Sequence, residues 1–309
     1  MKLLTKKNNF LFLNILSFVF ISSCALVISG QIPAIQEFIN PVVIQAKTFP
    51  PVPVLGTESS FPTFSAQGVM ATDLNSGISL YEKNTDALLL PASTTKIVTA
   101  LVALDSYPLD AVLTVGKVRV DGQKMGLYQG EQMKVEDLLY GLLVYSANDS
   151  AMVLAENYPG GYDAFITAMN NKAKELSMNN SNFENPVGLD GANQITTAKD
   201  LVRVSEVAMR NPEFAKIVGT KTITVTDVSG KHHFYLKNIN ELLGKVPGVL
   251  GVKTGWTHNA RENLVTYLER DGHKIMIVVL GSQDRFGETT ELIDWIFNNY
   301  SWQEVHLPN

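Results

Sequence analysis

The chain has 309 residues, 45% of them hydrophobic and 18% charged, with a formal net charge of -5. That composition suits a globular protein with one large core or two modest ones, and its scattered Lys and Arg exclude nucleic acid as a partner. Cys24 is the lone cysteine, which excludes an internal disulfide and a thiolate metal cluster; the 5 histidines, His232-His233 included, show no metal-ligand spacing, so no metal and no other cofactor is expected.

In chain order, Lys2, Lys6 and Lys7 precede an uncharged apolar run from Phe10 to about Ser29. Residues 1–30 therefore read as an export signal or a membrane anchor that places the rest outside the cytoplasm. Three outcomes stay open: an uncleaved anchor, ordinary cleavage near Gly30, and acylation of Cys24, because Ile21-Ser22-Ser23-Cys24 resembles a lipobox. Residues 31–65 carry Pro33, Pro41, Pro50, Pro51, Pro53 and Pro62 and are expected to form an extended stalk. The globular domain is expected over residues 66–303.

Within it, Gln67 to Tyr81 reads as a hairpin turning at Asn75-Ser76-Gly77. Helical periodicity or length follows at Ile97 to Ala103, Val135 to Val144, Ser150 to Asn157, Tyr162 to Leu176 and Lys199 to Met209. A second hairpin flanks Arg270-Asp271-Gly272, and an amphipathic helix is expected from about Glu288 to Tyr300. The expected fold is α/β in the α+β sense: an antiparallel sheet flanked by helices, with a mainly helical lobe from about Ile97 to Val218 and a cleft between lobe and sheet.

Three short strings then stand out: Ser93-Thr94-Thr95-Lys96, Ser146-Ala147-Asn148 and Lys253-Thr254-Gly255. Each is weak alone; their order and their intervals of about 50 and about 100 residues give them force. Pro91 and the apolar run from Ile97 place Ser93 in the first turn of a helix, with Lys96 on the same face. A serine hydroxyl attacks only when a base takes its proton, and a lysine can be that base if burial or a second cation such as Lys253 disfavours its charge. Ser146 and Asn148 fall on a turn between helices, where side chains can face a cleft. Lys253 to Gly255 read as an edge strand, with Gly255 admitting a substrate backbone and Thr254 binding a carboxylate. The backbone N–H groups of Ser93 and Trp256 could form an oxyanion hole. Read singly, Ser93 and Ser146 are equally ordinary helix caps.

Four stretches together resemble the low-molecular-mass D-alanyl-D-alanine carboxypeptidases, serine peptidases of the penicillin-binding protein and β-lactamase-like superfamily. They are Leu90 to Lys96, Leu143 to Asp149, Phe183 to Asp190 with Thr197 to Asp200, and Gly251 to Thr257. The resemblance implies a β-lactamase/transpeptidase-like fold, peptidoglycan stem peptides as substrate and inhibition by β-lactams. It also implies Ser93 as the acylated nucleophile, Lys96 as its base, Ser146 as proton relay, and Asn148, Lys253, Thr254, Gly255, Trp256 and Arg285 as substrate-binding residues. The chain departs from the pattern at Ala260-Arg261-Glu262-Asn263 and at Ile239, which touches substrate preference. It stops at Asn309 without the family's frequent carboxyl-terminal domain, so anchoring is expected from the amino end. Two rivals remain: a class A β-lactamase using Glu175 of Glu175-Leu176-Ser177-Met178-Asn179, and a penicillin-binding sensor without turnover.

Overall fold

The computed structural model describes residues 49–57 and 59–305. The expected signal or anchor, Cys24 and the stalk up to Thr48 lie outside the described residues. Among those described, no helix is long and apolar enough to cross a membrane.

Strand β1 (Val52–Leu55) pairs antiparallel with the last strand of the chain, Tyr300–Gln303. This part of the expected stalk is thus built onto the domain, since a two-stranded ribbon has free edges that tolerate the missing N–H of Pro53. Strands β2 (Gly68–Asp73) and β3 (Ser79–Lys83) form the first hairpin. Its turn uses a left-handed Gly77 and the Asp73 carboxylate, which accepts from Ser76 N at 2.7 Å.

The chain then leaves the sheet through a 3-10 turn, Ala92–Thr95, continuous with helix α1 (Lys96–Ser106). A small ribbon of β4 (Val112–Thr114) and β5 (Gln132–Lys134) precedes helices α2 (Val135–Leu143), α3 (Asn148–Glu156) and α4 (Gly161–Glu175). Helices α5 (Ala198–Arg210) and α6 (Pro212–Val218) follow, capped by the side chains of Thr197 and Asn211. A ribbon of β6 (Thr222–Thr226) and β7 (His233–Lys237) closes the lobe.

The chain returns as β8 (Val249–Thr257), β9 (Arg261–Arg270) and β10 (His273–Ser282), giving a five-stranded antiparallel sheet of order β3-β2-β10-β9-β8. Asp271 and Gly272 both have positive φ at the β9–β10 turn, the requirement of a tight hairpin whose twist matches its strands. Helix α7 (Arg285–Asn299) starts earlier than its apolar pattern suggests, because Asp284 accepts from Gly287 N and fixes the first turn. Strand β11 (Tyr300–Gln303) ends the described fold.

Both sheet faces are buried. On β10, Ile275, Ile277 and Val279 pack with Leu292, Ile293 and Ile296 of α7, while Met276, Val278 and Leu280 pack with the helical lobe. This period of two explains why the strand reads as an unbroken apolar run. Each fully buried aliphatic side chain contributes about 1.5–3 kcal/mol, so the two cores clamp the sheet from opposite sides. Strand β8 is the sheet's edge on the side of the lobe's mouth, which places Lys253 to Thr257 along a cleft.

Candidate active site

The 3-10 turn carries Ser93 into that cleft. Ala92 adopts a left-handed φ of 47°, an uncommon state for a residue with a Cβ, and its surroundings hold it there. The Pro91 carbonyl accepts from Thr94 Oγ1 at 2.7 Å and from Asn263 Nδ2 at 3.0 Å, while Asn263 Oδ1 accepts from Gly281 N at 2.8 Å. Asn263 therefore ties the turn to the middle of the sheet. Gly188 packs its Cα directly on the Ala92 carbonyl, where a Cβ would overlap it.

Lys96 is fully buried beneath Ser93. Its Nζ donates to Ser93 Oγ at 2.9 Å, to Asn148 Oδ1 at 2.6 Å and to the Val187 carbonyl at 2.8 Å. Burial lowers its pKa from 10.5 to about 7, against the opposing pull of Asp149. Three acceptors and a near-neutral pKa describe an amine that can exchange a proton with the hydroxyl it touches.

Ser146 lies past the end of α2 with a φ of 63°, and this left-handed turn brings its hydroxyl toward β8. Lys253, also buried, donates to Ser146 Oγ at 2.8 Å and to the Thr254 carbonyl at 2.9 Å. Its pKa is held well below the ordinary lysine value by burial first, then by Lys96 and Arg285. Two hydroxyls thus each rest on a buried amine, and the amines repel one another.

A cavity of about 560 Å³ covers this floor, lined by Ser93, Ser146, Asn148, Thr254, Trp256 and Arg285 among others. Every residue expected at the site from the sequence is there or directly beneath. The Arg285 guanidinium, from the start of α7, donates to the Gly255 carbonyl at 3.0 Å. Trp256 is 61% exposed at the rim.

Two local contacts add to the expected roles. Gly255 turns its missing side chain toward the nucleophile turn, where a Cβ would lie 3.1 Å from Pro91 O and Ser93 N, so the glycine permits close strand-to-turn packing while it lines the cleft. The Asn148 side chain is engaged at both ends, accepting from Lys96 and donating to the Asp121 carbonyl at 2.6 Å, so it orients Lys96.

Other contributors lie in stretches that carry the resemblance, but with no role assigned to them from the sequence. Asn185 Oδ1 accepts from Gly188 N at 2.8 Å and Leu189 N at 3.1 Å, which curls the segment so that Val187 presents its carbonyl to Lys96. Asp149 accepts from the backbone N–H groups of Met125, Gly126 and Leu127, shaping the loop whose Gly122 and Gln123 line the cleft. Asp190 receives Thr257 Oγ1 at 2.7 Å across the mouth. Glu175 lies elsewhere: its carboxylate, 63% exposed, pairs with Lys172 at the end of α4. The deacylating glutamate of a class A β-lactamase has no counterpart there. Among the described residues, no group of three or more His, Cys, Asp or Glu could hold a metal ion.

A helical lobe, an antiparallel sheet and two hydroxyl–amine pairs facing the same edge strand define the penicillin-binding protein fold of active-site-serine enzymes. Comparison with known proteins agrees. The chain belongs to the D-alanyl-D-alanine carboxypeptidase family, whose model matches residues 56–284. It is 30% identical over 264 residues to the D-alanyl-D-alanine carboxypeptidase DacF of Bacillus subtilis, covering 82% of this chain and 68% of that one. It is 34% identical over 246 residues to DacB2 of Mycobacterium tuberculosis, covering 76% and 84%. The Streptomyces K15 DD-transpeptidase structure superposes with a TM-score of 0.73 at 32% identity, covering 77% of this chain and 99% of the other. The protein is a serine-type D-alanyl-D-alanine carboxypeptidase.

Proposed function

We propose that the chain removes the terminal D-alanine of peptidoglycan stem peptides through an ester on Ser93. The observation that carries this reading is the 2.9 Å contact between Ser93 Oγ and a buried amine whose pKa is about 7. Neutral Lys96 takes the hydroxyl proton as Ser93 Oγ attacks the carbonyl between the two D-alanines. The N–H groups of Ser93 and Trp256 receive the developing oxyanion, and Thr254 with Arg285 holds the terminal carboxylate. Ser146, kept in place by Lys253, passes a proton to the departing amine. Water then hydrolyses the ester. A β-lactam follows the same first step and stays attached.

Mass spectrometry of the protein after penicillin treatment should find the adduct on Ser93, and the Ser93→Ala variant should bind none and release D-alanine at least about 10⁴-fold more slowly. An adduct elsewhere would overturn the assignment. The lysines and the apolar run of the amino-terminal segment support attachment to the outer face of the cytoplasmic membrane, with reach supplied by the residues between that segment and β1. Recovery of the chain with the membrane fraction, accessible to protease from outside, tests that placement.

A further inference from the structure

The floor of the site leans on a stretch with no regular secondary structure. Residues 115–131, between β4 and β5, expose Asp121, Gly122, Gln123 and Lys124 to solvent, yet this stretch grips Asn148. The Asp121 carbonyl accepts from Asn148 Nδ2 at 2.6 Å, and the Gln123 carbonyl accepts from Asn148 N at 2.7 Å. Gly122 packs between those two bonds, where a Cβ would lie 2.8 Å from Asn148 Nδ2. With its amide nitrogen fixed in this way, Asn148 turns Oδ1 to Lys96 and accepts from Nζ at 2.6 Å.

A buried carboxylate holds the exposed stretch in place. Asp149, in the first turn of α3, is 2% exposed. Each of its oxygens serves two backbone N–H groups: Oδ1 accepts from Met125 at 3.1 Å and from Ser150 at 3.0 Å, and Oδ2 accepts from Gly126 at 2.8 Å and from Leu127 at 3.1 Å. Hydrogen bonds to an ionised group are stronger than neutral ones, and an amide of the same shape cannot replace this carboxylate, because its NH2 would face two N–H donors. Asp149 also acts through space: its charge opposes the lowering that burial imposes on the Lys96 pKa. Lys253 and, behind it, Arg285 are the other charged groups at the floor, while Asp121 and Lys124 face solvent.

We propose that Asp149 is the positioning residue of the acylation step: it folds residues 121–127 around Asn148, and Asn148 in turn aims the Lys96 amine at Ser93 Oγ. The inference rests on the proposed role of Lys96 as the base. Asp149 acts by two routes, one mechanical through the backbone it grips and one electrostatic on the amine. Both end at the same proton, the one that leaves the Ser93 hydroxyl.

Variants of the full chain separate the two routes, with the second-order rate of acylation by fluorescent penicillin read per folded molecule across pH. Asp149→Asn removes both grip and charge. Asp149→Glu keeps the charge but carries the carboxylate out of register with the N–H groups, and Gly122→Ala leaves Asp149 intact while its added Cβ displaces Asn148. Gly130→Ala is the control for backbone strain, since Gly130 has a φ of 89° against 85° for Gly122 but open space around it. The rate should fall about tenfold or more in the first three and stay within about twofold in Gly130→Ala. Without the carboxylate Lys96 sheds its proton more readily, so the acid limb of the profile should move to lower pH by about half a unit or more in Asp149→Asn, and stay in place in Asp149→Glu and Gly122→Ala. Gly122→Ala acylating as fast as Gly130→Ala, Asp149→Glu acylating at the wild-type rate, or an unmoved limb in Asp149→Asn overturns the proposal. Where Asp149→Asn yields no folded protein, the rates of the other variants decide. Absence of any adduct on Ser93 in the wild type overturns the carboxypeptidase mechanism itself, whatever the variants do.

Discussion

At the scale of single residues, the site depends on where protons rest. Lys96 would be fully charged at neutral pH in water; removal from water brings its pKa to about 7, and Asp149 limits the drop. Only the neutral amine can accept the Ser93 proton, so kcat/KM on a D-Ala-D-Ala peptide should fall about tenfold for each unit of pH below about 7. A pH–rate profile checks this, and a flat line between about pH 5 and about pH 8 would contradict it. Lys96→Arg keeps a positive charge at every accessible pH and should lose about 10²–10⁴-fold without regaining activity in alkali. The sequence made this pair legible, because residues three apart on a helical turn share a face. It could not show that Asn148 serves Lys96 before it serves a substrate, since that depends on the Asp121 carbonyl occupying its other end.

At the scale of elements, the nucleophile turn is held by neighbours distant in sequence. Gly188 and Gly77 both have positive φ, 86° and 74°, but only Gly188 abuts another chain segment. Gly77→Ala should cost about 1 kcal/mol, the ordinary penalty for a left-handed alanine. Gly188→Ala should cost several times more and slow penicillin acylation, because the Ala92 carbonyl must move and Ser93 moves with it. Thermal unfolding together with acylation rates separates the two. Helices α1 to α5 and the hairpins β2–β3 and β9–β10 were readable from periodicity and turn residues. The β1–β11 ribbon was not, because its register joins Val52 to Gln303 and nothing local announces it. Nor was the Asn263 tether: a buried asparagine in an apolar strand reads as an anomaly until its partners, Pro91 and Gly281, are known.

At the scale of the whole molecule, two cores share one sheet, and the chemistry lies on the lobe side only. Truncating Ile293, which is fully buried in α7 on the opposite side, should cost about 2–5 kcal/mol. Ile293→Ala should therefore lower the melting temperature, while the protein that remains folded acylates at the wild-type rate; a slower rate would mean that the far core also sets the geometry of Ser93. The lobe side carries an opposite tension. Lys96 and Lys253 lie within each other's field under a shared roof, an arrangement that a sequence selected for sturdiness alone would avoid. Replacing both amines by neutral residues of similar size should therefore raise the stability of the unliganded chain and abolish its activity, and thermal unfolding beside an acylation assay reads both.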